Sequence, residues 1–149
     1  MTHARRTEVR GPARQPCGSC PYRRDVPSGI WAATEYAKLT AYDVDTPFQP
    51  PSLFLCHQTS ADDHQARLCA GWVGCHGPDL LALRLAASNG QLTTGDLRAA
   101  FDYTTTVPLF ESGTAAATHG TRDIPTPGPR AQHAITKIAA RRPDTRPGP

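Results

Sequence analysis

Apolar residues come in short clusters along this chain, each cut off by proline, glycine or small polar residues. Trp31, Tyr36 and Leu39 share one face at helical spacing, with Ala32, Ala33 and Ala37 as helix formers and Ser28 as a cap. That pattern predicts a helix over residues 30–39. Asp45, Pro47, Pro50 and Pro51 close it off. Residues 52–56 (Ser-Leu-Phe-Leu-Cys) read as a short buried strand, and residues 58–67 as a polar loop. Residues 68–73 are apolar, but Gly71 and Gly74 make a strand or a tight turn equally good readings. Residues 79–87 give the clearest helix, carrying Leu80, Leu81, Leu83 and Leu85 and stopped by Asn89-Gly90. A second short helix follows over residues 94–101, with Thr94 as its cap. Residues 103–110 suit an edge strand or an extended segment, because Pro108 cannot donate to a ladder.

The two ends carry little of this pattern. Residues 1–15 show no periodicity, and residues 111–149 turn to Ser, Gly, Thr, Ala and Pro. Only residues 131–142 have helical spacing there, through Ile135 and Ile138, too few apolar positions to fold alone. The expectation is an α+β domain over residues 16–110, with short strands and two or three short helices. A disordered basic arm (1–15) precedes it and a disordered Pro/Ala/Arg-rich tail (111–149) follows.

Composition adds that the core must be small. Of 149 residues 38% are hydrophobic, with 15 Pro and 12 Gly, so a domain of this kind calls for a staple. The net charge of +3 is unevenly spread: the central residues 17–111 hold six basic and ten acidic residues, whereas residues 112–149 hold six basic and two acidic. Basic ends on an acidic centre make nucleic acid, another polyanion or a protein the candidate partners, with solvated ends as the plainer reading. No secretory h-region follows Arg5, Arg6, Arg10 and Arg14, and no apolar run reaches the roughly 20 residues of a membrane span. The expected setting is the cytoplasm, without a membrane partner, and there cysteines serve metals or thiol chemistry more often than disulfides.

All five cysteines lie in the first half, spaced C-x2-C-x35-C-x12-C-x5-C. Tetrahedral Zn2+ takes four thiolate or imidazole ligands, and a C-x2-C turn presents two sulfurs to one ion. Cys17 and Cys20 form that half-site. Cys56 and Cys69, bracketing the polar loop, are the natural second half-site. His57, Cys75 and His76 are accessory candidates, since Cys75 can replace Cys69 or a histidine a cysteine. Four thiolates also suit a [2Fe–2S] or [4Fe–4S] cluster. Cys-Gly-Ser-Cys matches a dithiol redox site in form, but no strand precedes it. Arg23-Arg24 beside the turn could meet phosphate, with a local ion pair to Asp25 as the plainer reading. Asp62-Asp63 with His64 reads as a solvated loop. No phosphate-binding glycine loop or nucleophile elbow is present, so no catalytic residue is assigned.

Three separated motifs fall in order: Pro16-Cys-Gly-Ser-Cys-Pro-Tyr-Arg-Arg-Asp-Val-Pro-Ser-Gly29 with Trp31 and Tyr36, then Phe54-Leu-Cys-His-Gln58, then Leu68-Cys-Ala-Gly-Trp-Val-Gly-Cys-His76. Over residues 16–100 the chain resembles DUF6283, a family of actinobacterial and actinophage proteins of unknown function. The resemblance implies that Cys17, Cys20, Cys56 and Cys69 are the shared cysteines, followed by Gly71-Trp72, and that Cys75-His76 is not essential. It implies no activity. The expected protein is therefore a small metal-stapled binding module for nucleic acid or protein, with zinc as the first expectation and an iron–sulfur or thiol-redox protein as the second.

Overall fold

The helix expected over residues 30–39 forms as α1 (Ala33–Thr40) in the computed structural model, which describes residues 8–56 and 66–141. It is followed by α2 (Ala70–His76), α3 (Leu81–Ser88), α4 (Thr94–Phe101), α5 (Gly113–Arg122) and α6 (Pro129–Arg141). Short 3-10 turns at Ala41–Asp43, Thr46–Phe48 and Gly77–Asp79 bend the connections. No β-strand forms among the described residues. Single residue pairs bridge Arg10 to Arg67, Arg23 to Leu109 and Leu55 to Leu68. The expected α+β class is therefore corrected to a helical one.

Each misplaced strand has a local cause. Residues 52–56 pair only at Leu55, because Pro50 and Pro51 lack N–H donors on one side and the partner segment turns into α2 on the other. Residues 70–76 are helical although Gly71 interrupts them. A Cβ at 71 would strike the Cys20 sulfur and Tyr22, so glycine is what lets α2 lie on the C-x2-C turn. Its helix-propensity cost of about 1 kcal/mol is offset by full burial of Trp72 and Val73. Gly77, at φ 64°, ends α2 with its N–H on the Val73 carbonyl. Residues 103–110 run extended against the backbone that follows the C-x2-C turn, through Arg24 N–H to Pro108 O (3.1 Å) and Phe110 N–H to Tyr22 O (2.9 Å). The cap of α4 is Thr93, whose hydroxyl accepts from the Asp96 N–H, one residue before the expected Thr94.

Both ends hold more structure than their composition suggests. Val9 is buried and donates to Gln91 O, and Arg10 exchanges backbone hydrogen bonds with Ala66 and Leu68. The expected tail contains α5 and α6. In α5 the buried positions are Gly113, Ala116 and Gly120, a stripe of small residues lying on Tyr36 and Leu39 of α1. Ser112 and the Asp43 carboxylate cap it, Asp43 accepting from the N–H groups of Gly113 (2.7 Å) and Thr114 (2.8 Å). In α6, Ala131 is buried, and Ala134, Ile135 and Ile138 pack on the same core. That core centres on Tyr22, Ile30, Trp31, Trp72, Leu80 and Leu83. No helix among the described residues is long and apolar enough to cross a membrane.

Candidate metal centre

The C-x2-C segment folds as two successive tight turns, Cys20 N–H to Cys17 O (3.0 Å) and Arg23 N–H to Cys20 O (3.1 Å). Trp31 pins it from beneath, its indole N–H donating to Ser19 O at 2.9 Å. The second pair of cysteines is placed by the lone pairing of Leu55 with Leu68. Cys56 N–H donates to Arg67 O and Cys69 N–H to Phe54 O, both 2.9 Å. In an antiparallel register that pairs 55 with 68, residues 56, 67 and 69 share one face. Cys56, Arg67 and Cys69 accordingly line one cleft with Cys17.

The four thiols form a chain of contacts: Cys56 with Cys17, Cys17 with Cys20, and Cys20 with Cys69. The last pair stands at 3.7 Å between sulfurs. All five cysteines are reduced. Among the described residues, no group of three or more His, Cys, Asp or Glu side chains is closed around one point tightly enough to hold an ion as it stands. The contacts nevertheless join the three segments that carry Cys17, Cys20, Cys56 and Cys69.

Electrostatics within the chain favour protonated thiols while no cation is bound. Cys17 is raised first by the Cys20 hydrogen bond, against a lowering contribution from Cys56, with burial adding to the rise. Cys20 is drawn down by Cys17, but Cys69 and burial outweigh that and leave it well above an ordinary thiol. Neutral S–H groups can share protons along a chain, whereas thiolates repel unless a cation draws them in.

Cys75 and His76 lie in a second cleft of about 530 Å3 with Tyr42, Asp43, Asp45, Asp79 and Glu111. Burial and then Asp43 push the Cys75 thiol up to about 12. The His76 side chain is 7% exposed. Its Nε2 meets the Tyr22 hydroxyl at 3.0 Å, and its Nδ1 stands 3.9 Å from Asp43. Tyr22, fully buried, reaches His76 through its hydroxyl and lies with the Cys20 sulfur against Gly71, so it stands between the two clefts. His57, with His64, Asp62 and Asp63, falls outside the described residues. The indole of Trp72, a candidate shield for the metal, is stacked on Phe54 and edge-on to Tyr42. Arg23 is held by Asp25 in a two-pronged pair (2.7 and 2.8 Å), in line with the plainer reading of Arg23-Arg24. Sequence reasoning passed over Arg67 as part of a polar loop and did not single out Asp43. The one signal for Arg67 was its place two residues before Cys69.

His76 gives a testable acid limb. Burial lowers its pKa below the ordinary 6.5, with Asp43 pulling the other way. The unfolded chain then takes the proton more readily, so this contribution is fully present above 6.5 and is lost as pH falls through the folded value. Lowering the pH from about 7 to 5 is expected to lower the melting temperature, and His76→Gln to flatten that slope. An identical slope in the variant would show that His76 does not titrate in this way.

A helical domain gathered around a cluster of reduced thiols is the class that this fold and site define. The chain belongs to DUF6283, a family of unknown function, whose family model matches residues 12–142. That match takes in α5 and α6 as well as the cysteines. No curated protein and no solved structure matches the chain.

Proposed function

We propose that Cys17, Cys20, Cys56 and Cys69 bind one Zn2+, and that the ion is a structural centre of a binding module. The observation that carries this reading is the sulfur chain itself. Zinc–thiolate bonds of about 2.3 Å in a tetrahedron set sulfur–sulfur edges of about 3.8 Å. The Cys20–Cys69 separation of 3.7 Å matches such an edge. The donor set also fits: four soft thiols lie on three segments, and a bound cation would displace the protons that Cys17 and Cys20 hold tightly. In this reading zinc supplies the link between the C-x2-C turn and the Leu55–Leu68 pairing, and no chemistry beyond it.

The surface held in place suits a polyanion or acidic protein. Arg24 is exposed and lies over the Phe110 ring, and Arg130 of α6 donates to the Asp25 carbonyl at 3.2 Å, so two cations border one loop. The test has two parts. Protein purified without added metal should be colourless and carry about one zinc per chain. A brown protein with visible absorption would replace zinc by an iron–sulfur cluster. Retention on DNA should fall steeply with salt, and further in Arg24→Ala/Arg130→Ala. Salt-independent or absent retention would leave a protein partner as the version of the module to pursue.

A further inference from the structure

The four thiols are not equivalent. Cys20 and Cys69 are 1% and 3% exposed, and Cys20 is covered by α2 at Gly71, where no side chain could fit between them. Cys17 and Cys56 are half-buried and line a cleft of about 400 Å3 together with Gln15 and Arg67, and Cys69 borders the same cleft but is nearly covered. A water molecule occupies about 30 Å3 of liquid, so the cleft admits a small polar reagent. Cys17 and Cys56 also interact directly, although 38 residues separate them in sequence.

We infer that the Cys17–Cys56 edge is a redox-reactive site, at which hydrogen peroxide joins the two residues in a disulfide. The inference rests on the zinc reading for its consequence, not for its chemistry. One thiolate of the pair attacks a peroxide oxygen, the O–O bond breaks, and a sulfenic acid forms as hydroxide leaves. The second thiolate attacks that sulfur, the S–O bond breaks, and a second hydroxide leaves. Two protons from solvent convert both hydroxides to water. The two sulfurs are oxidised by two electrons in all, and the peroxide is reduced. Cys20 and Cys69 then remain as two ligands, too few for a closed tetrahedral site. The local alternative, a Cys17–Cys20 bond, would have to draw Cys20 out from beneath α2 and away from Cys69. Oxidation at the open edge thus releases the ion while a covalent link takes over between the same two segments.

The test uses the full chain, titrated with hydrogen peroxide, with released zinc followed by a colorimetric chelator and disulfides mapped in unreduced tryptic digests. The expected product links the peptide of residues 15–23 to that of residues 39–67, fragmentation placing the bond at Cys17 and Cys56. About one zinc should be released per disulfide formed. A bond closed within the peptide of residues 15–23, a link to the peptide of residues 68–84, or no disulfide at all would overturn the inference. Protein that purifies without zinc but forms the Cys17–Cys56 bond would overturn the zinc reading and leave the reactive edge standing. Protein that carries zinc but forms the Cys17–Cys20 bond would do the reverse.

Discussion

On the zinc reading, excess chelator is expected to abolish the protein's cooperative thermal transition near neutral pH. Structural zinc contributes on the order of 10 kcal/mol in small finger peptides, and whole domains are stable by only about 5–15 kcal/mol. The arrangement of the cysteines shows why little would remain. The C-x2-C turn carries Tyr22, fully buried at the centre of the core, and the Leu55–Leu68 pairing leads directly into α2 with Trp72 and Val73. Apart from the thiols, the turn is held by the Trp31 bond to Ser19, the Tyr22 hydroxyl on His76, the Arg23 guanidinium on the Pro16 carbonyl and the backbone pairing with residues 108–110. Without the ion, Cys17 and Cys20 regain their protons, and between the four thiols themselves only weak S–H contacts remain. Circular dichroism melts with metal content measured on the same samples would check this. An unchanged melt after complete metal removal would mean that the helical core folds by itself, and zinc would lose its structural role.

How much of this could be read from the sequence depended on how each element declares itself. The helix α1 was legible because Tyr36 and Leu39 recur at helical spacing on one buried face. Helices α3 and α4 were legible from their apolar weight and terminal signals, although the buried positions of α3 are Ala82, Leu83 and Ala86 and Leu85 is exposed. The four thiols were grouped in the sequence from a C-x2-C pair and two further cysteines, on the expectation of a reducing compartment. Their inequality was not, since burial of Cys20 and Cys69 against half-burial of Cys17 and Cys56 depends on where α2 lies. Helix α2 was misread for the same reason that it packs so closely: Gly71, a breaker by propensity, is required by contact with Cys20. Asp43 shows a further limit. It sits beyond the last turn of α1, yet its carboxylate caps α5 far along the chain and faces His76. No local pattern announces a cap supplied from such a distance in sequence.

The α1–α5 contact yields a prediction whose sign separates packing from propensity. Gly113→Ala and Gly120→Ala replace helix glycines by the best helix former, so propensity alone predicts a gain of about 1 kcal/mol each. Packing predicts the opposite. A Cβ at 113 would overlap the Leu39 carbonyl, which is backbone and cannot rotate away. A Cβ at 120 would overlap the Tyr36 ring, which is buried and whose hydroxyl accepts from the Trp31 N–H at 3.2 Å. Either α5 moves off α1 or Tyr36 leaves its hydrogen bond, and overpacking of this kind costs about 3 kcal/mol. Separation would also pull Gly113 and Thr114 from Asp43, and Gly120 from the Ser28 hydroxyl that donates to its carbonyl. Gly95→Ala in exposed α4 is the matched control: its Cβ would meet only the Thr93 hydroxyl, at 3.9 Å, so a gain of about 0.5–1 kcal/mol is expected there. Urea unfolding of the three variants beside the parent would decide it. Stabilisation at 113 and 120 equal to that at 95 would mean that α5 does not rest on α1, and that the small-residue stripe is no interface.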